Sequence, residues 1–121
     1  MTHLYLNPIR TDRVAAFEEF LVKVQEAVEA QRPDLEGRWR VLKATEAGDV
    51  TTYAFIFEGG DLEADWDLRT LMPAHYGAEE ADRLLSDAEQ TFAPFREWVA
   101  TLGDHDDDMT QIGWTFAPHP L

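Results

Sequence analysis

The chain contains no cysteine, which excludes a disulfide framework and a thiolate metal site together. It is also poor in positive charge, with 10 Lys and Arg against 24 Asp and Glu and a formal net charge of −14. Nucleic acid and anionic membrane surfaces are bound through basic patches that release counterions, so both are unfavourable partners for this chain. Nowhere do ~18 apolar residues follow one another, so no membrane-spanning helix is expected. The opening MTHLYLNPIRTDR has no apolar run behind a basic stretch, and no secretory signal is expected either. A phosphate-binding glycine loop, a nucleophile elbow and a paired-histidine zinc motif are all missing. These absences predict a soluble, cytoplasmic protein with no metal site, no nucleic-acid partner and no membrane partner. The excess of acid reads as solubility.

What is present is a well-distributed core. Apolar residues make up 45% of the 121 positions, enough for one hydrophobic core, and the expectation is a single domain over residues 1–121. Leu4 and Leu6 alternate with His3, Tyr5 and Asn7, which predicts a first strand over Leu4 to Asn7, ended by Pro8. Thr11 or Asp12 then suits the cap of a helix. Its stripe of Val14, Phe17, Phe20, Leu21, Val24, Ala27 and Val28 recurs at three- and four-residue steps and stops before Pro33. Arg38 to Glu46 and Val50 to Glu58 form a hairpin around Ala47-Gly48-Asp49, with Tyr53, Phe55 and Phe57 on one face of its second strand. Asp61 suits the cap of a short helix running to Met72. After Pro73 and Gly77 comes a second stripe, Ala81, Leu84, Leu85, Ala88, Phe92, Phe95, Val99 and Leu102, read as one long helix kinked at Pro94 and ended by Gly103. A closing strand spans Met109 to Phe116. The order β-α-β-β-α-β predicts an α+β protein of the split βαβ, or ferredoxin-like, plan with a four-stranded antiparallel sheet.

Few polar residues are candidates for chemistry. The run ADWDLRTLMPAHYG, residues 64 to 77, is the densest, with Trp66, Arg69, His75 and Tyr76. On one continuous helix Trp66 and His75 are nine residues, or about 900°, apart and face opposite ways, so only a break such as one at Pro73 turns both toward one cavity. The plainer reading makes Trp66 a core aromatic and His75 an exposed histidine. The chemical one makes His75 a proton-transfer group and Trp66 the wall of a flat pocket. Asn7 shares a strand face with Tyr5. It suits either turn chemistry before Pro8 or an amide donor to a bound oxygen. Asp104 to Asp108, with His105 among them, read as a solvated acidic loop and not a metal site. Trp39, Trp98 and Trp114 read as packing or subunit-contact aromatics.

The element order, the entry to the hairpin (RPDLEGRWRVLK) and the helix bearing DWDLRTLMPAHY together resemble the dimeric α+β barrel superfamily, which includes the antibiotic-biosynthesis monooxygenase-like proteins. The resemblance implies two ferredoxin-like subunits packed sheet to sheet, each with a small-molecule pocket between its sheet and the helix after the third strand. Asn7, Trp66 and His75 also resemble, in place and spacing, the residues of the heme-degrading monooxygenase branch. That likeness implies a heme cofactor with His75 as axial ligand, Trp66 pressing on the porphyrin and Asn7 donating to iron-bound oxygen. Arg10, Arg13 or Arg69 would then be needed near the propionates.

Three functions follow as expectations. The first is oxidation of an aromatic or polyketide-like small molecule without a metal, with His75, Tyr76 and Asn7 as catalytic groups and Trp66, Arg69 and Tyr5 holding the substrate. The second is heme binding or degradation, and the third a non-catalytic homodimeric module that binds a small ligand. A homodimer is expected in each. Val41, Phe55 and Ile112 are expected on sheet faces that one layer of two helices cannot all cover.

Overall fold

The structure, a computed structural model, describes residues 2–44, 48–59, 61–94, 96 and 115–121. Its strands are β1 (Thr2–Arg10), β2 (Trp39–Ala44), β3 (Val50–Glu58) and β4 (Phe116–Pro118). Its helices are α1 (Val14–Gln31), the single turn α2 (Leu62–Asp65), α3 (Leu68–Tyr76) and α4 (Ala78–Glu89). The architecture is α+β, with a four-stranded antiparallel sheet in the order β1-β3-β2-β4 that is compatible with a ferredoxin-like fold. Because β3 runs antiparallel to both β1 and β2, those two strands are parallel, and α1 connects them across the inserted third strand. That is the split βαβ unit. β4 lies beside β2 at one edge, and β1 forms the other.

Register fixes which residues share a face. Tyr5 lies opposite Phe55 and Asn7 opposite Tyr53, while Trp39 pairs with Phe57 and Val41 with Phe55. Side chains alternate along a strand, so Tyr5, Asn7 and Ile9 share one face with Trp39, Val41, Tyr53, Phe55 and Phe57. This is the face that α1 covers. Its stripe is buried at Phe17, Leu21, Val24, Ala27 and Val28, as the helical spacing predicts, with Val14 and Phe20 half-buried against the same core. The helix stops at Gln31, ahead of Pro33.

Four expectations need correction. The first strand does not end at Pro8 but runs to Arg10. Pro8 O accepts from Ala93 N (3.0 Å) and Arg10 N donates to Thr91 O (2.9 Å), so the backbone groups of these residues point to the outer edge. A missing N–H there removes no bond to β3. Second, the helix after Gly77 ends at Glu89, and no long helix kinked at Pro94 forms over the described residues. Thr91 Oγ1 donates back to Ala88 O (2.6 Å), and the chain then pairs with β1 through a bridge from Phe92 to Ile9. Third, the break expected at Pro73 lies earlier. Asp67 accepts from Arg69 N (3.0 Å) and starts α3, which passes through Pro73 as far as Tyr76. Fourth, Val41 and Phe55 do not lie on an uncovered face, since Val41 is buried in the core beneath α1 and Phe55 packs against it. Ile112, Trp98, Trp114, the acidic run and most of the expected closing strand lie outside the described residues.

The opposite face carries Leu4, Leu6, Leu42, Ala54 and Ile56. Leu4 is 61% exposed and Leu6 38%. Leu4 and Leu6 therefore look away from the helices, whereas Ile9 is buried on the helix-covered face that also carries Tyr5 and Asn7. Among the described residues, no helix is long and apolar enough to cross a membrane.

Candidate functional site

Aromatic residues spaced two apart on neighbouring strands build the floor of the site. Phe55 and Phe57 alternate along β3, so both project from the helix-covered face, and Tyr5 of β1 stands beside them with its ring edge-on to Phe57 at 6.0 Å. The short break between α2 and α3 turns Trp66 down onto this floor. Its ring lies 4.9 Å from Phe57 and 5.9 Å from Trp39, and Trp39 stacks on Phe57 at 6.1 Å. Trp39 is anchored through its own N–H, which donates to Gln25 Oε1 at 2.7 Å. The chain around α2 is tied to the end of α1 by Arg32, whose guanidinium meets Asp34 (2.9 Å) and Asp65 (3.1 Å).

Between this floor and the helices lies a cleft of about 670 Å³, lined by Tyr5, Asn7, Phe55, Phe57, Trp66, Asp67, Leu68, Arg69, Leu85 and Glu89. Its size is that of a small-molecule site, apolar over most of the wall with a few polar groups at fixed places. Asp67 is already engaged, since one carboxylate oxygen accepts from Arg69 N and the other from Thr70 Oγ1 (2.9 Å). Among the described residues Asn7 makes only a long contact from Nδ2 to Tyr5 O, at 3.5 Å. Trp66 is 8% exposed, and its buried Nε1 has no hydrogen-bond partner among the described residues. A buried N–H left unpaired costs about 1–3 kcal/mol. A second groove of about 640 Å³ shares Arg69, Leu85 and Glu89 with the cleft and runs on between α3 and α4.

Tyr5, Asn7, Trp66 and Arg69, singled out from the sequence, thus come together on one wall. His75 and Tyr76 do not line the cleft. The Tyr76 hydroxyl lies 2.8 Å from Lys23 O and 2.9 Å from Glu26 Oε2, both on α1, and its ring meets that of His75 edge-on at 4.5 Å. Burial first, then the Glu26 carboxylate, pushes the Tyr76 phenol up to about 12. His75 is exposed. Among the described residues no imidazole is therefore supplied to the wall that holds Trp66 and Asn7, and these residues do not fit heme as an axially ligated group. Among the described residues, no group of three or more His, Asp or Glu is placed to hold a metal ion.

Phe55, Phe57, Leu85 and Glu89 were not singled out as site residues. The two phenylalanines carry a signal in the alternation of β3, and Leu85 lies in the apolar stripe of α4. Neither pattern distinguishes a cleft wall from solid core. Glu89 carries no signal at all. No protein family, curated protein or solved structure significantly matches this chain.

Proposed function

We propose that this protein binds a flat aromatic small molecule in the cleft over Tyr5, Phe57 and Trp66, as a homodimer of the dimeric α+β barrel kind. The observation that carries the reading is a cleft of about 670 Å³ whose floor is made of rings from two strands and the α2–α3 break. Side chains that served only as core would meet one another there and leave no ligand-sized space. Offset and edge-on ring contacts favour an aromatic guest over an aliphatic one of equal area, by about 0.5–1.5 kcal/mol per pair. Oxidation of the guest, as the antibiotic-biosynthesis monooxygenase-like proteins would suggest, requires a proton acceptor beside it. Of the three groups considered for catalysis only Asn7 lies on the wall, so binding is the better-supported role.

Calorimetric titration with a panel of two- and three-ring aromatic compounds tests this. Saturable one-site binding is expected in the wild type and is lost in Leu85→Trp, which fills the cleft from α4, with the circular dichroism spectrum unchanged. A panel that gives no saturable binding to folded protein would sink the proposal.

A further inference from the structure

Resting on the binding role proposed above, the hydrogen-bond inventory of the cleft selects among aromatic guests. Among the described residues, its wall carries unspent donors on Arg69 and Asn7, beside unspent acceptors on Asn7 Oδ1, the Tyr5 hydroxyl and Glu89, and Arg69 alone is a cation. Arg69 extends a guanidinium that makes no hydrogen bond or ion pair among the described residues, although the chain carries 24 acidic side chains. Among the described residues Asn7 spends its amide N–H only on the 3.5 Å contact to Tyr5 O. The indole N–H of Trp66 is also unpaired among the described residues, but it has almost no accessible surface and is not offered to a guest in the cleft. Both oxygens of Asp67 are occupied at the start of α3, which leaves Glu89 as the one carboxylate on the wall with no described partner.

We infer that the cleft takes an aromatic carboxylate, with its rings on Phe57 and Trp66 and its acid group on the Arg69 guanidinium. A guanidinium presents paired N–H groups in a plane that matches a carboxylate, and a ligand rich in acceptors satisfies donors that the protein leaves open. The overall charge of −14 opposes an anion only weakly at this point. Charges more than about 8 Å away are screened at physiological salt; the acids of the cleft wall are Asp67, turned to its helix, and Glu89, while Glu79 and Asp82 line the adjoining groove that shares Arg69.

Three probes of one shape test the assignment: 2-naphthoate, 2-naphthamide and 2-naphthylmethylammonium, titrated by calorimetry against the full chain. Naphthoate is expected to bind about tenfold or more tighter than naphthamide, the range of a charge-assisted hydrogen bond. Arg69→Gln should abolish that advantage and leave naphthamide unchanged, Arg69→Lys should keep part of it, and Glu89→Gln should tighten naphthoate. Equal or tighter binding of the ammonium probe, or naphthoate affinity indifferent to Arg69→Gln, overturns the carboxylate assignment and leaves the aromatic cleft standing. Failure of all three probes to bind folded protein overturns both.

Discussion

Tyr53 is fully buried, yet its hydroxyl reaches a carboxylate, donating to Glu18 Oε2 at 3.0 Å. Glu18 also meets Lys43 Nζ at 3.1 Å and His119 Nε2 at 3.5 Å, so one side chain of α1 fastens β2, β3 and the chain after β4. Burial first and then Glu18 raise the Tyr53 phenol well above its ordinary value, and Tyr76 is pushed up to about 12. Both groups hold their proton more tightly folded than unfolded. Their contribution is therefore complete below pH 10, the ordinary value of a tyrosine phenol, and declines as pH rises, because the unfolded chain then binds fewer protons than the folded one. The expected result is a urea midpoint that falls between pH 10 and about 12, with a shallower fall in Tyr53→Phe and in Tyr76→Phe. Below that window Tyr53→Phe should cost about 1.5 kcal/mol, the low end for a hydrogen bond to a charged group, because Lys43 still pairs with Glu18.

Helices α3 and α4 meet at a single residue. Gly77 ends the first and caps the second with φ 88° and ψ 160°, a region that glycine alone enters without strain. Its N–H donates to Pro73 O (2.9 Å) and its carbonyl accepts from Ala81 N (3.0 Å), so the angle between the helices is set by this one backbone conformation. A Cβ built there meets nothing within 4 Å. Gly77→Ala is therefore expected to lose about 1–3 kcal/mol in urea unfolding through backbone strain alone. The helices α1 and α4 differ in how plainly the sequence announces them. The stripe of α1 was legible because every third or fourth residue is apolar for 15 positions, from Val14 to Val28. The end of α4 was not, because the apolar spacing continues through Phe92. What stops the helix is a long-range bond from Ala93 N to Pro8 O, residues 85 positions apart.

Across the whole molecule, charge and apolar surface are arranged in opposition. A net −14 keeps copies apart at long range, while the strand face bearing Leu4 and Leu6 offers exposed aliphatic surface on β1 with no acid between Thr2 and Asn7. The dimer proposed above is expected to bury this face, since area removed from water contributes about 25 cal/mol per Å² and charge repulsion is screened beyond about 8 Å. Sedimentation velocity at micromolar concentration should show a dimer that Leu4→Asp or Leu6→Asp converts to monomer. A monomeric wild type across that range would remove the dimer from the proposal. Rising salt should strengthen association if self-repulsion opposes it.

Period and punctuation along the chain were enough to establish the α+β class, the long first helix, the hairpin and the face shared by Tyr53, Phe55 and Phe57, because each depends on neighbours a few residues apart. The same local reading put Tyr5 with Asn7 and marked Trp66 and Arg69. Folding settled the remainder by contacts between distant segments. Asp67, by capping α3, turned Trp66 toward the sheet. The hydroxyl of Tyr76 went to α1, which took it and His75 off the cleft wall, and Glu89 reached the wall that holds Arg69 only because α4 packs back against α3 and α1. A cleft is made of side chains that fail to meet, and spacing along a chain records only which side chains point the same way.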